Sequence, residues 1–200
     1  MATLARPAQL LLARAYVARV EFIRRVLGAA AAAAYEDMDP FAQGDVDEYV
    51  DRLMALSGPA QRALVTSLAG YLSVVSDEGY PDWDADEFSG DEVVPDVGEE
   101  RTWRIPFFSF WGALGAGLGV DLAREALASD LGRTAQSLLS FSQANAMASM
   151  AGQLNLGYQR VRAGEGCEFC NEEPDHVYTD DPMPLHIGCR CSVMAVPKGG

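Results

Sequence analysis

Residues 157–196 read GYQRVRAGEGCEFCNEEPDHVYTDDPMPLHIGCRCSVMAV, and this stretch holds all four cysteines and both histidines of the 200-residue chain. The cysteines fall as Cys167-Glu-Phe-Cys170 and Cys189-Arg-Cys191, with His186 just ahead of the second pair, so the spacing is C-x2-C-x15-H-x2-C-x-C. Two close pairs separated by a loop is how a small module gathers soft donors around a tetrahedral ion. Within each pair the short spacer lets one tight turn aim both side chains at the same ion. Thiolate and imidazole donors select zinc over magnesium or calcium.

Five donors compete for the four positions of such an ion. The preferred set is Cys167, Cys170, His186 and Cys189. Cys191 either replaces one of them or packs as a small hydrophobe. His176 reads as a surface or loop histidine. Four protein ligands leave no open position for water, so the expected cofactor is one structural Zn2+ and not a catalytic one. Three other uses of the cysteines compete with zinc. A disulfide is disfavoured if the product is cytosolic, where thiols stay reduced. A thioredoxin-like role for Cys167 and Cys170 needs a βαβ setting that the flanking sequence lacks. An iron–sulfur cluster meets a similar objection.

Outward from the cysteines, the hydrophobic period is that of a strand. Tyr158-Gln-Arg-Val-Arg162 alternates, and Ser192-Val-Met-Ala-Val196 is a second β-prone run. Upstream, 121–156 is a helical run rich in Ala, Ser and Met, with a division expected, if anywhere, near 129–132. Gly112, Gly115, Gly117 and Gly119 precede it; without a preceding strand they mark a turn or close helix packing, not a dinucleotide loop. Pro106 opens an apolar helical face of Phe107, Phe108, Phe110, Trp111 and Leu114.

Residues 77–100 hold eleven Asp or Glu and no Lys or Arg. The composition reads as a solvated linker or loop. Tyr80, Trp83 and Phe88 keep open an acidic contact for a basic groove. Ahead of it, three antiparallel helices are expected over 1–76: one from Pro7 to about Met38 ended by Asp39-Pro40, one capped by Asp45, and one after Gly58-Pro59. The fold class is therefore mainly α. An N-terminal helical domain (1–76) and the 77–100 linker lead to 101–200, a helical segment plus a small C-terminal α+β zinc-stapled module at about 157–196.

Composition narrows the function. No secretory signal follows Met1, and the longest uncharged apolar stretch near the start, 26–35, is about half a bilayer span. A soluble protein made in the cytosol is expected, with no membrane contact. Net charge is −14 and the pI about 4.4, and the fifteen cations are scattered, which disfavours direct nucleic-acid binding. No G-x-S-x-G, Walker A or H-E-x-x-H pattern occurs. Ser137, Ser140, Ser142 and Ser149 have no base nearby in sequence. No catalytic residue, small-molecule substrate or enzyme activity is expected.

The run Cys167-Glu-Phe-Cys170, Val177-Tyr178 and Pro184-Leu-His186-Ile-Gly-Cys189-Arg-Cys191-Ser-Val resembles the phage head-morphogenesis (MuF-type) minor capsid proteins. Gly157-Tyr-Gln-Arg-Val161 is similar to their usual lead-in. The likeness is specific over about 155–196, loose over 101–155, and only generally helical before that. It implies a structural protein of a tailed phage, present in few copies and assembled in the host cytoplasm. Its place would be the capsid interior of the virion, and its partners the portal protein and inner capsid or scaffold proteins. Similar proteins are often labelled capsid maturation protease, and some are fused to toxin or protease domains. This chain ends at Gly200, directly after the module, so no fused enzyme is expected. Two rival functions stand beside this one: a protease or other enzyme of the head-assembly cluster, and a zinc-ribbon-like binding module. The first needs an acid or base cleft outside the cysteines, and the second a basic face.

Overall fold

Tyr16, Val20, Ile23, Leu27 and Ala31 recur at helical spacing, and all are buried on one face of helix α1, Arg6–Glu36. The computed structural model describes residues 6–76, 78–94, 98–162, 176–179, 181, 183–186, 189 and 191–198. Among them the chain is mainly helical, with four α-helices and a small three-stranded antiparallel sheet. α1 stops just before Asp39-Pro40, as expected, because the residue ahead of a proline is pushed out of the helical region. The Asp39 carboxylate then accepts the Phe41 amide at 3.1 Å, closing the turn.

The next helix corrects two expectations. α2 runs unbroken over Gln43–Val75 with Pro59 inside it, so the first 76 residues hold two long helices and not three. Asp45 is a first-turn residue rather than the cap, and its carboxylate instead accepts the Asp39 amide at 3.2 Å. A proline inside a helix costs about 3 kcal/mol. Leu53, Leu64, Val65, Leu68 and Leu72 are fully buried on the two sides of it. At about 1.5–3 kcal/mol for each buried aliphatic side chain, that face outweighs the proline. Gly58 lowers the cost further, since the residue before proline has no Cβ to collide with the ring.

The acidic stretch is a loop, but a packed one. It carries two 3-10 turns, Asp86–Phe88 and Gly90–Val93, and buries Phe88, Val93 and Val94 in the common core. Gln153 exchanges two hydrogen bonds with the backbone of Asp82 (2.8 and 2.9 Å), and Gln61 accepts the Gly90 amide at 3.0 Å. Tyr80 stays largely exposed.

Helix α3, Glu99–Gly115, ends in a turn where Gly117 takes φ +90°, a conformation glycine adopts freely. α4 follows as one helix, Val120–Gln153. The division expected near 129–132 does not occur: Leu127, Leu131, Ala135 and Leu138 carry one buried face straight through it. α4 touches α1, α2, α3 and the sheet. Its small side chains explain why it sits in the middle. Ala144, Ala146, Ala148, Ala151, Ser137, Ser140 and Ser142 are all buried and let neighbours approach closely. Strand β1, Leu156–Val161, lies between β2, Val177–Tyr178, and β3, Ser192–Pro197, antiparallel to both. Among the described residues no helix is long and apolar enough to cross a membrane.

Candidate functional site

The site begins with a clamp. β1 pairs with β3 along its full length, from Leu156 opposite Pro197 to Val161 opposite Ser192. The cysteine-bearing segment between Val161 and Ser192 therefore leaves and returns at one place. On the other edge Tyr158 faces Tyr178 and Gln159 faces Val177. Gly157 makes this possible. A Cβ there would stand 2.6 Å from Val177 Cγ1 and 3.2 Å from the Tyr178 carbonyl, so only glycine admits β2 at this distance.

Three side chains then shape the return path. Tyr158, fully buried, stacks on Tyr178 with ring centroids 5.4 Å apart and donates its hydroxyl to the Asp181 carbonyl at 2.5 Å. Burial pushes its phenol pKa well above the ordinary value. His176 is exposed and sits edge-on to the Tyr178 ring at 4.4 Å. Arg160 is buried and donates to the Pro184 carbonyl at 2.9 Å, two residues before His186. The His186 carbonyl accepts the Cys189 amide at 2.9 Å, so a tight turn joins the expected imidazole donor to the second cysteine pair. His186 itself is half-buried, and Cys189 and Cys191 are buried.

The backbone of that pair is held from the helices. Ser140 of α4 donates to the Cys189 carbonyl at 3.2 Å, and Arg24 of α1 donates to the Cys191 carbonyl at 2.8 Å. Arg24 is 2% exposed, and its guanidinium also reaches Ser192 Oγ (2.9 Å), Ser140 Oγ (2.8 Å) and Gln143 Oε1 (3.3 Å). A carboxylate partner, Glu21 at 2.9 Å, is half exposed. Gln143 in turn donates to the hydroxyl of Tyr16, which stacks on Tyr71 at 4.7 Å. One buried cation thus ties the start of β3 to α1 and α4.

This arginine was given no role by sequence reasoning. Its helical phase was the available signal. Arg24 lies four residues after Val20 and three before Leu27, on the buried stripe of α1. Nothing in the sequence pairs it with Ser192 or Cys191, which are more than 160 positions away.

Of the five expected zinc donors, the structure places His186, Cys189 and Cys191, while Cys167 and Cys170 lie outside the described residues. Among the described residues no three His, Cys, Asp or Glu side chains gather as a metal would need, and the first cysteine pair of the expected site lies outside them. The donor chemistry fits such a site. Two buried sulfurs lie at alternate positions on a backbone that Arg24 ties down, and cysteine sulfur is a donor type that zinc accepts. No protein-family model matches the chain, and neither do curated proteins or solved structures.

Proposed function

We propose that this chain is a structural minor head protein of a tailed phage, held inside the procapsid near the portal, with a zinc-stapled C-terminal loop. Cys167, Cys170, His186 and Cys189, with Cys191 as the alternate fourth donor, would hold the metal. With four protein donors the ion supplies a cross-link and no open coordination position. The role is assembly, not catalysis.

The observation that carries this reading is the β1–β3 pair around the cysteine segment. Strand β1 ends at Val161, six positions before Cys167 in sequence, and β3 starts at Ser192, immediately after Cys191. This is the order of parts (lead-in strand, C-x2-C, P-x-H-x2-C-x-C, short strand) on which the resemblance to MuF-type proteins rests. The clamp also favours a staple. Loop-closure entropy opposes bringing the two cysteine pairs together, and a pairing that already joins the loop's ends removes part of that cost.

Elemental analysis of freshly purified, reduced protein is expected to find one zinc per chain, lost in Cys167→Ser and Cys170→Ser and kept in His176→Ala. Absence of zinc, or thiols paired as disulfides, would refute the metal. The assembly role is tested separately. The protein is expected in purified procapsids at a few copies, and to be missing from shells assembled without portal. Recovery in equal amount from portal-less shells would refute it.

A further inference from the structure

The end of the helical bundle opposite in character to the cysteine site carries a cluster of uncovered aromatic rings. Phe41, in the turn between α1 and α2, packs edge-on against Phe110 (5.5 Å) and Trp111 (5.1 Å) of α3. Phe110 is buried and anchors the group, yet Phe41 and Trp111 are each 47% exposed and Phe108 is 67% exposed. Together with Pro40, Val46 and Arg104 they wall a cleft of about 130 Å³. Single exposed apolar residues are ordinary, whereas grouped large rings mark contact surfaces. Aromatic residues with an arginine beside them are the side chains that dominate binding energy at interfaces. The cleft is also preformed. Asp39 holds the turn through its bonds to the Phe41 and Ala42 amides, so less backbone ordering is left to be done on binding.

The charge around the rings selects the partner. Asp47, half-buried, and Glu100, exposed, bond the Arg104 that lines the cleft, and Asp39 and Asp45, both exposed, adjoin its lining residues Pro40 and Val46. The two nearby cations are already engaged: Arg104 bonds Asp47 (2.8 Å) and Glu100 (2.9 Å), and Arg124 faces Asp39 at 3.6 Å. The rim is therefore acidic on a chain of net charge −14. Two copies meeting through this face would press acid against acid, which opposes self-association. We propose that the Phe41–Phe108–Trp111 cleft docks a protein partner that presents an apolar ridge flanked by Lys or Arg. The ridge fills the cleft, and the flanking cations meet the acidic rim and the ring faces. This inference does not depend on the zinc reading or on the assembly role.

The test uses the full chain and a synthetic amphipathic Leu/Lys helical peptide, with binding followed by anisotropy of a labelled peptide. Phe108→Ser combined with Trp111→Ala is expected to weaken binding at least about tenfold. Asp45→Lys should weaken it further at low salt, and an otherwise identical Leu/Glu peptide should not bind. Leu11→Ser, at an exposed apolar position of α1, is expected to leave binding intact. If the double variant melts early, Phe108→Ser alone serves, since that ring is the most exposed of the three. Equal binding by wild type and ring variants, or equal binding of the Leu/Glu peptide, would overturn the proposal. So would a concentration-dependent dimer in sedimentation that the same ring variants abolish, because the occupant would then be a second copy.

Discussion

Replacing Arg24 with methionine keeps most of the side chain's volume but removes every donor at its end. Two buried acceptors then lose their guanidinium donor: the Cys191 carbonyl and Gln143 Oε1. The hydroxyls of Ser140 and Ser192 can turn toward other acceptors, and Ser140 already donates to Gln136 and Cys189. An unsatisfied buried acceptor costs about 1–3 kcal/mol, so the pair accounts for about 2–6. Methionine avoids the desolvation of a buried guanidinium, which offsets part of that. A net loss of about 3 kcal/mol is expected, a large share of the 5–15 kcal/mol typical of a domain. Glu21→Ala removes the Glu21 carboxylate, but that pair is half exposed, and a loss of about 0.5 kcal/mol or less is expected. Urea unfolding followed by far-ultraviolet circular dichroism, at fixed pH and metal content, measures both. Hydrogen exchange should show Arg24→Met releasing the β3 amides before those of α2. An Arg24→Met loss under about 1 kcal/mol, or a Glu21→Ala loss of the same size as Arg24→Met, would refute the assignment of the anchor to its neutral acceptors.

Other outcomes follow from particular positions. Gly157→Ala puts a methyl 2.6 Å from Val177 Cγ1, and it should cost about 1–3 kcal/mol and displace β2, visible as lost protection at Val177 and Tyr178. Pro59→Ala should stabilise the chain by about 1–3 kcal/mol in urea unfolding, since Pro59 is exposed and alanine restores a helical N–H. Alkaline pH should unfold the protein. Burial raises the phenol pKa of Tyr16, Tyr49, Tyr71 and Tyr158, with Tyr71 pushed up to about 12. The unfolded chain then binds fewer protons than the folded one above pH 10, so stability is full below that pH and falls as pH rises through 10 to 12. Tyr71 alone should contribute a loss of about 2–3 kcal/mol by pH 12, and a flat melting temperature from pH 9 to 12 would contradict the burial of these rings.

The helical content was legible because it rests on local signals. The buried stripe of α1 repeats at the period of a helix, Asp39-Pro40 stops it, and the strand runs at 158–162 and 192–196 alternate or carry β-branched residues. The misread points are those where distant packing outweighs a local breaker. Gly58-Pro59 is a strong stop signal, yet Leu53 and Leu64 on either side face the same core. The acidic run 77–100 looks like a linker by composition because the apolar side chains it buries, Phe88, Val93 and Val94 among them, are outnumbered by eleven Asp or Glu residues. In the candidate site, the spacing picked out the segment of His186, Cys189 and Cys191 as a group. The means of holding them could not be read there, since Arg24, Ser140 and Gln143 come from helices far off in the chain and carry no motif.

A guanidinium seated in the middle of α1, with Cys191 and Ser192 among its partners, makes the two ends of the chain interdependent. Trimmed after Gln153, the four helices would keep their apolar contacts with one another. Arg24 would instead face the gap left by β3, still bonded to Ser140 and Gln143 but open to water on the vacated side. The shortened bundle would then have a charge at the centre of a newly bared apolar wall. Arg24→Leu, harmful in the whole chain, should do less harm there or even help expression. The sign of one substitution would thus report whether the tail is seated, which gives anyone preparing fragments or fusions of this protein a simple readout of correct docking.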